Sequence, residues 1–298
     1  MALNNSLVEK KAPFSAMISS AGYKKLINNT LRDPNRANRF VASITSAVSA
    51  NPALQECDAA TIVSAGLLGE SLNLSPSPQL GQFYMVPFND KKRGTKVAQF
   101  QLGYKGYIQL AIRSGYYKKL NVLAIKEGEL VKFDPLEEEI EVNLVEDDTQ
   151  REALPTIGYY AMFQYENGFK KAMYWSREKM MAHADKYSMA FSAEKYRDML
   201  DGKIPQSEMW KYSSFWYKDF DGMAYKTMLR QLISKWGIMS IELQTALDKD
   251  MAAINEDGSA DYVDNPVDNA QPTEPAPAQV IDANTGEVID DPTAEFFN

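Results

Sequence analysis

The chain has 298 residues, 45% hydrophobic, 24% charged and 11% aromatic, which is enough for one large domain or two small ones. No run approaches 18 consecutive apolar residues, which excludes a membrane span. One cysteine, Cys57, excludes a disulfide scaffold, and one histidine, His183, leaves almost nothing for a zinc site.

The first third reads as helical. Asp33-Pro34 is an N-cap followed by Pro at the first helical position, and Phe40, Val41, Ile44 and Val48 form an apolar stripe ended by Asn51-Pro52. Asp58 caps the next helix, with Ile62, Val63, Leu67 and Leu68 inward. After a Pro/Ser-rich connector at residues 75–81, strands are expected at 83–88 and 96–102 around a basic hairpin tip, then a helix over 107–114 ended by Gly115. Strands follow at 120–125 and 130–133, then an acidic insert (134–152), then a hairpin of 156–165 and 169–175 around Glu166-Asn167-Gly168. Ser176 opens a second helical block that runs to Trp236-Gly237, and a last helix spans about 240–251. From 255 the chain is rich in Pro, Asp, Asn and Ala, a composition that cannot bury a core. The expected fold is α+β: a helical N-terminal part, a small antiparallel sheet with hairpins and a C-terminal helical block over residues 1–254, then a disordered acidic tail, 255–298.

Charge is distributed unevenly. Residues 1–126 hold 16 Lys and Arg against 6 Asp and Glu, residues 127–152 hold 2 against 11, and residues 248–298 hold 1 against 13. A basic body with an acidic insert and tail is the footprint of a phosphate-backbone binder; solvated surface lysine is the competing reading.

Catalysis has few groups to use. His183 sits in SREKMMAHADKY, a helical pattern with no nucleophile motif, and reads as structural or solvated. Neither G-x-x-x-x-G-K-[ST] nor G-x-G-x-x-G occurs, and the only Glu-x-Lys, Glu9-Lys10-Lys11, has no acidic residue before it. The run Glu137-Glu138-Glu139 leaves a metal-dependent nuclease as a rival, against a solvated loop. A binder rather than an enzyme is expected, with no cofactor required.

Three segments carry binding chemistry. In Gln99–Ile108, Gly103-Tyr104-Lys105-Gly106 joins a strand to a helix start, where glycines allow close backbone approach, helix N–H groups are unpaired and Lys105 adds charge; a plain tight turn is the alternative. Arg113 lies farther along that helix and Lys118-Lys119 follow its cap. The hairpin tip places Lys91, Lys92, Arg93 and Lys96 within six residues, as a backbone clamp or as charges that blunt a sheet edge. In 210–220, Tyr212, Trp216 and Phe220 recur at i, i+4, i+8, a helix face suited to packing more than to base stacking. Downstream, Lys226 and Arg230 share a helix face within reach of a phosphate strand.

Three blocks in order resemble the RecT proteins of phages and prophages, and look most like those of Gram-positive, Listeria-type prophages. They are SAGLLGESLNLSPSPQLGQFYMVPF (64–88), QFQLGYKGYIQLAIRSG (99–115) and DFDGMAYKTMLRQLISKWGIMSIELQTAL (219–247). The resemblance implies ATP-independent annealing of single-stranded DNA through an annealed duplex intermediate, and self-association into rings or helical filaments. It also implies a partner 5′→3′ exonuclease and Mg2+-sensitive binding. Lys105, Arg113, Lys226 and Arg230 fall on basic positions of the family, whereas Ile112 stands where an arginine is common. Such a protein is expected in the cytoplasm of a bacterial host, off the membrane. A passive single-strand binder and a phage scaffold protein are the remaining rivals. In the tail, residues 280–289 have hairpin-like symmetry and Phe296-Phe297 ends a polar run, a candidate contact for the exonuclease or the host single-strand-binding protein.

Overall fold

Asp33 caps its helix as expected: its side chain accepts from the N–H groups of Asn35 and Arg36, and α3 (Pro34–Ala50) follows. A computed structural model describes residues 12–262 together with strand residues 280–281 and 288–289. Two short helices, α1 (Phe14–Ile18) and α2 (Ala21–Leu31), precede α3, and Asp58 caps α4 (Ala59–Ser71) by accepting from the Ala60 N–H. α4 is buried along most of its length. Gly66 lies against Ile44 and Phe40 of α3, and Gly69 against the Phe83 ring, so a side chain at either would have to displace those core side chains.

β1 (Phe83–Asp90) and β2 (Thr95–Leu102) form the predicted hairpin in strict antiparallel register, Phe83 opposite Leu102 and Asp90 opposite Thr95. β2 also pairs antiparallel with β8 (Ala252–Ile254), which pairs with β9 (Ala260–Asp261), giving the order β1-β2-β8-β9. The sequence reading ends the last helix at about 251, begins the disordered tail at 255 and expects no strand in either place. The last helix, α11 (Ile241–Asp248), stops three residues earlier than expected, and the three small or branched residues after Met251 complete the sheet.

A second sheet has the order β3-β6-β7, from β3 (Tyr117–Lys126), β6 (Thr156–Tyr165) and β7 (Lys170–Ser176). The acidic insert is structured. β4 (Leu130–Asp134) and β5 (Glu139–Val142) pair as a hairpin whose turn carries Glu137 and Glu138, and α6 (Asp148–Ala153) follows. Its anchor is Glu129, fully buried, which accepts from the Lys126 and Val145 amides and from Arg151 Nε at 2.5 Å. Burial raises the Glu129 carboxyl, but the Arg151 guanidinium and the two amides outweigh it and hold the group below its ordinary value.

Ser176 caps α7 (Arg177–Tyr187), followed by α8 (Ala193–Leu200), a 3-10 turn (Gln206–Lys211), α9 (Phe215–Lys218) and α10 (Phe220–Trp236). The expected continuous Tyr212–Trp216–Phe220 helix face does not form, because Ser214 and Asp219 each start a new helix. The packing half of that expectation holds: Trp216 and Phe220 are buried with ring centroids 5.2 Å apart.

α10 joins two cores. Leu229 and Ile233 pack with α3, α4, the first sheet and α11, whereas Phe220, Ala224, Met228 and Leu232 pack with the second sheet, α7 and α8. Residues 1–263 and 264–298 are separate units. In the second, β10 (Val280–Ile281) pairs antiparallel with β11 (Val288–Ile289), the symmetry read from the sequence; Phe296-Phe297 lies outside the described residues.

Candidate nucleic-acid interface

The hairpin tip is built on Asp90. Its buried carboxylate accepts from the Lys92 and Arg93 amides, at 2.9 and 3.1 Å, which fixes the turn and leaves Lys91 and Lys92 extended into solvent. The other two cations of the tip are engaged within the protein. Arg93 bonds Asp90, Asp261 and Asn255, tying the tip to β9, and Lys96 pairs with Glu56.

The Gly-x-x-Gly segment differs from its expected form. α5 (Tyr104–Ser114) begins three residues early, so Gly103 is its N-cap and Gly106 lies inside its first turn. Both glycines are required by close packing. A methyl on Gly103 would overlap the Gly81 carbonyl, and one on Gly106 the Gln82 carbonyl, because the connector before β1 lies across the helix start. No side chain caps α5; the Gly103 and Gly106 amides bond the Gln82 and Gly103 carbonyls, both at 2.9 Å, which leaves the Tyr104 and Lys105 amides as the first-turn N–H groups with no helical carbonyl to bond.

Around this helix start the fold gathers polar and aromatic groups from four elements. Lys105 is exposed, its ammonium 5.9 Å from the Tyr104 ring and its stem along Gly81. Tyr84 of β1 stands beside Gly81 and packs on Phe215 of α9 at 5.4 Å, while Tyr104 meets the edge of Tyr225 of α10 at 5.5 Å. Tyr84, Tyr104 and Tyr225 are half-buried and Phe215 is exposed. Burial, then Asp219 and Tyr104, raise the Tyr84 hydroxyl above its ordinary value, so it stays a neutral donor. Sequence reasoning missed Tyr84, Phe215 and Tyr225: Tyr84 and Tyr225 lie inside two of the three quoted blocks and Phe215 inside the aromatic segment 210–220, but nothing local in the sequence marks the three as parts of one surface.

The remaining cations are not brought to one place. Arg113 donates to the Leu72 carbonyl at 2.7 Å and the Asn73 carbonyl at 3.2 Å, so its guanidinium covers the C-terminal end of α4. Lys118 approaches Glu166 at 3.7 Å across the second sheet, and Lys119 is exposed on β3. Lys226 and Arg230 correct the surface reading most clearly. Lys226 is buried and donates to Asp250 Oδ1 at 2.9 Å; Arg230, partly exposed, donates to Oδ2 at 3.1 Å. Asp250 also accepts from the Leu102 amide at 2.9 Å and the Tyr107 hydroxyl at 3.4 Å. Burial, with Arg230 beside it, pulls the Lys226 ammonium below its ordinary value against the attraction of Asp250. Lys226 thus braces α10 to β2 and α5 and has no route to a bound strand.

Among the described residues, no group of three or more His, Cys, Asp or Glu is placed to hold a metal ion, and no helix is long and apolar enough to cross a membrane. Glu138 of the acidic turn is paired with Lys171 of β7.

The profile of the RecT family matches residues 38–265. The chain is 35% identical over 293 residues to the uncharacterized protein YqaK of Bacillus subtilis, covering 96% of this chain and 91% of that one. It is 27% identical over 243 residues to Protein RecT of Escherichia coli K12, covering 81% of each. The match takes in the second core, most of the first, the basic hairpin, the α5 helix start and the Asp250 brace: this chain belongs to the RecT family, whose single-strand annealing recombination proteins its three sequence blocks resemble.

Proposed function

We propose that the protein binds single-stranded DNA by its phosphate backbone and anneals complementary strands without ATP. The observation that carries this reading is the α5 helix start, where an exposed Lys105 stands beside the Tyr84, Tyr104 and Phe215 rings. Helix N–H groups and a lysine suit a phosphodiester, and aromatic faces accept any base, so the surface binds without reading sequence. Lys91 and Lys92 at the hairpin tip extend the same sign of charge. Pairing is downhill by about 1.4 kcal/mol per stacked step, so an annealer has only to screen the backbones and leave base edges free.

On this reading the protein is a binder and not a catalyst, needs no resident cofactor, and acts in the bacterial cytoplasm with Mg2+ modulating the charge balance. Self-association into rings or filaments, and contacts of the acidic tail with a 5′→3′ exonuclease or a host single-strand-binding protein, belong to the same proposal. Two complementary fluorescent oligonucleotides mixed with the protein in magnesium, without nucleotide, provide the test. Faster pairing of intact strands than in the protein-free control supports it. Binding without acceleration replaces it with a passive single-strand binder, and strand cutting with a nuclease.

A further inference from the structure

A second surface combines cations with rings, on α7 and the end of β7. Trp175, His183 and Tyr187 form a ladder, with centroids 5.2 Å apart from Trp175 to His183 and 4.6 Å from His183 to Tyr187. Lys179 reaches over Trp175 at 4.7 Å and Lys186 over Tyr187 at 5.1 Å. Lys179, His183, Lys186 and Tyr187 follow the three- and four-residue spacing of one helix face, a rise of about 12 Å from first to last. Lys179, Lys186 and Tyr187 are exposed, and His183 and Trp175 half-buried.

The charge here has no internal counterpart. Among the described residues neither Lys179, Lys186 nor Lys235 is in an ion pair, and each is exposed. The charges that act on His183 are all positive: Arg230, Lys186 and Lys235. Of the acids on α7, Glu178 lies in its first turn, near Tyr174, and Asp185 is turned away to accept from the Ala193 amide at 2.7 Å. Exposed cations held over aromatic faces without acidic partners leave both charge and ring faces open to a polyanion that has flat faces of its own. An acidic peptide supplies the charge without the faces, and a duplex keeps its faces stacked inside; a single strand supplies both.

We propose that the β7–α7 strip is a second nucleic-acid site, which takes single-stranded DNA with its phosphates along Lys179, Lys186 and Lys235 and a base against Tyr187. The proposal rests on the reading that this chain binds single-stranded DNA, and goes beyond it by giving the chain two separate strand contacts, one at the α5 helix start and one here. α10 connects the sites: Arg230 bonds Asp250, which is tied to α5, while its charge also bears on His183.

The test uses the full chain and an oligonucleotide carrying 5-iodouracil, with Lys179→Glu/Lys186→Glu and the milder Tyr187→Ala as variants and circular dichroism as the check on folding. Photocrosslinks from the wild type are expected within residues 170–190. The charge variant should lose about two from the slope of log affinity against log salt and anneal at least tenfold more slowly, and Tyr187→Ala should lose the crosslink while keeping its fold. Absence of crosslinks in 170–190 with unchanged salt slope and annealing overturns this proposal alone. A charge variant that binds DNA normally but changes subunit number makes the strip a contact with a second copy, and also overturns it. A wild-type chain that binds no oligonucleotide overturns both this site and the function on which it rests.

Discussion

Lys226 Nζ lies 2.9 Å from Asp250 Oδ1, with the lysine side chain 8% exposed and the aspartate side chain fully enclosed. Removing one member of such a pair leaves an uncompensated charge, which costs about 3–5 kcal/mol. Asp250→Asn should therefore lower unfolding stability by about that amount in a urea titration, although Asn retains most of the shape. Lys226→Met combined with Asp250→Asn should recover part of the loss, since the stranded cation is gone. A near-neutral Asp250→Asn would show that the pair does not brace the fold.

Lys105 tests the opposite case, a cation at the surface. In the first turn of α5 a glutamate suits the helix dipole, so Lys105→Glu should keep the thermal midpoint within a few degrees. Its affinity for single-stranded DNA should fall to a similar extent on poly-dT and on mixed sequence, with a shallower salt dependence. Loss on one sequence only would contradict backbone recognition.

Gly103→Ala places a methyl against the Gly81 carbonyl. Overpacking of this kind costs about 1–3 kcal/mol, and because the connector must shift, DNA affinity should fall with stability. A variant with wild-type stability and affinity would show that the connector yields freely.

Glu129 sets an acid limit on the insert. Its carboxyl is lowered in the fold by Arg151 and two amides against the penalty of burial, so its stabilising contribution is complete above the ordinary glutamate value and is lost as pH falls through the lower folded value. Glu129→Gln should be less stable at pH 7 and show a flatter fall of the thermal midpoint on acidification. Parallel curves for the two proteins would remove Glu129 from the account of acid unfolding.

His183 is the single histidine of this chain, which makes its imidazole a clean probe by proton NMR. Burial first, then Arg230, Lys186 and Lys235, pull the imidazole below its ordinary value of 6.5. The unfolded chain therefore takes up its proton first, and stability falls as pH drops from the ordinary histidine value through the folded one. The imidazole signal should titrate below 6.5, and His183→Gln should flatten the stability curve across that window. A titration at or above 6.5 would show that the surrounding cations are screened.

Local chemistry was legible wherever it was settled within a few residues. The Asp33, Asp58 and Ser176 caps, the β1–β2 and β6–β7 hairpins and the burial of Trp216 and Phe220 all follow from short-range spacing. What failed depended on partners far along the chain. Arg113 looks like a free cation until the end of α4 is placed against it, 41 residues away. Lys226 and Arg230 look like a basic helix face until Asp250 is brought beneath it. β8 is three residues that nothing local marks as a strand, and only the open edge of β2 selects them. Charge sums counted all of these cations alike, whereas the fold engages Lys226 and Arg113 in hydrogen bonds to distant segments and leaves Lys91, Lys92 and Lys105 at the surface and, among the described residues, free of ion pairs.

The pairing of β2 with β8 bears on how the protein is made. The amide of Leu102 finds its acceptor 148 residues later, at Asp250. A ribosome adding about 5–20 residues per second reaches that acceptor on the order of ten seconds after β2 is synthesised. Until then the nascent chain presents an open strand edge, the kind of surface on which chains pair wrongly with one another. The long acidic tail is translated only after Asp250, so its charge is absent while the intervening residues are being added. A message that ends before codon 250 would therefore yield a chain with the basic hairpin and the α5 helix start but without the segment that closes the sheet, and its fate is aggregation rather than a smaller working protein.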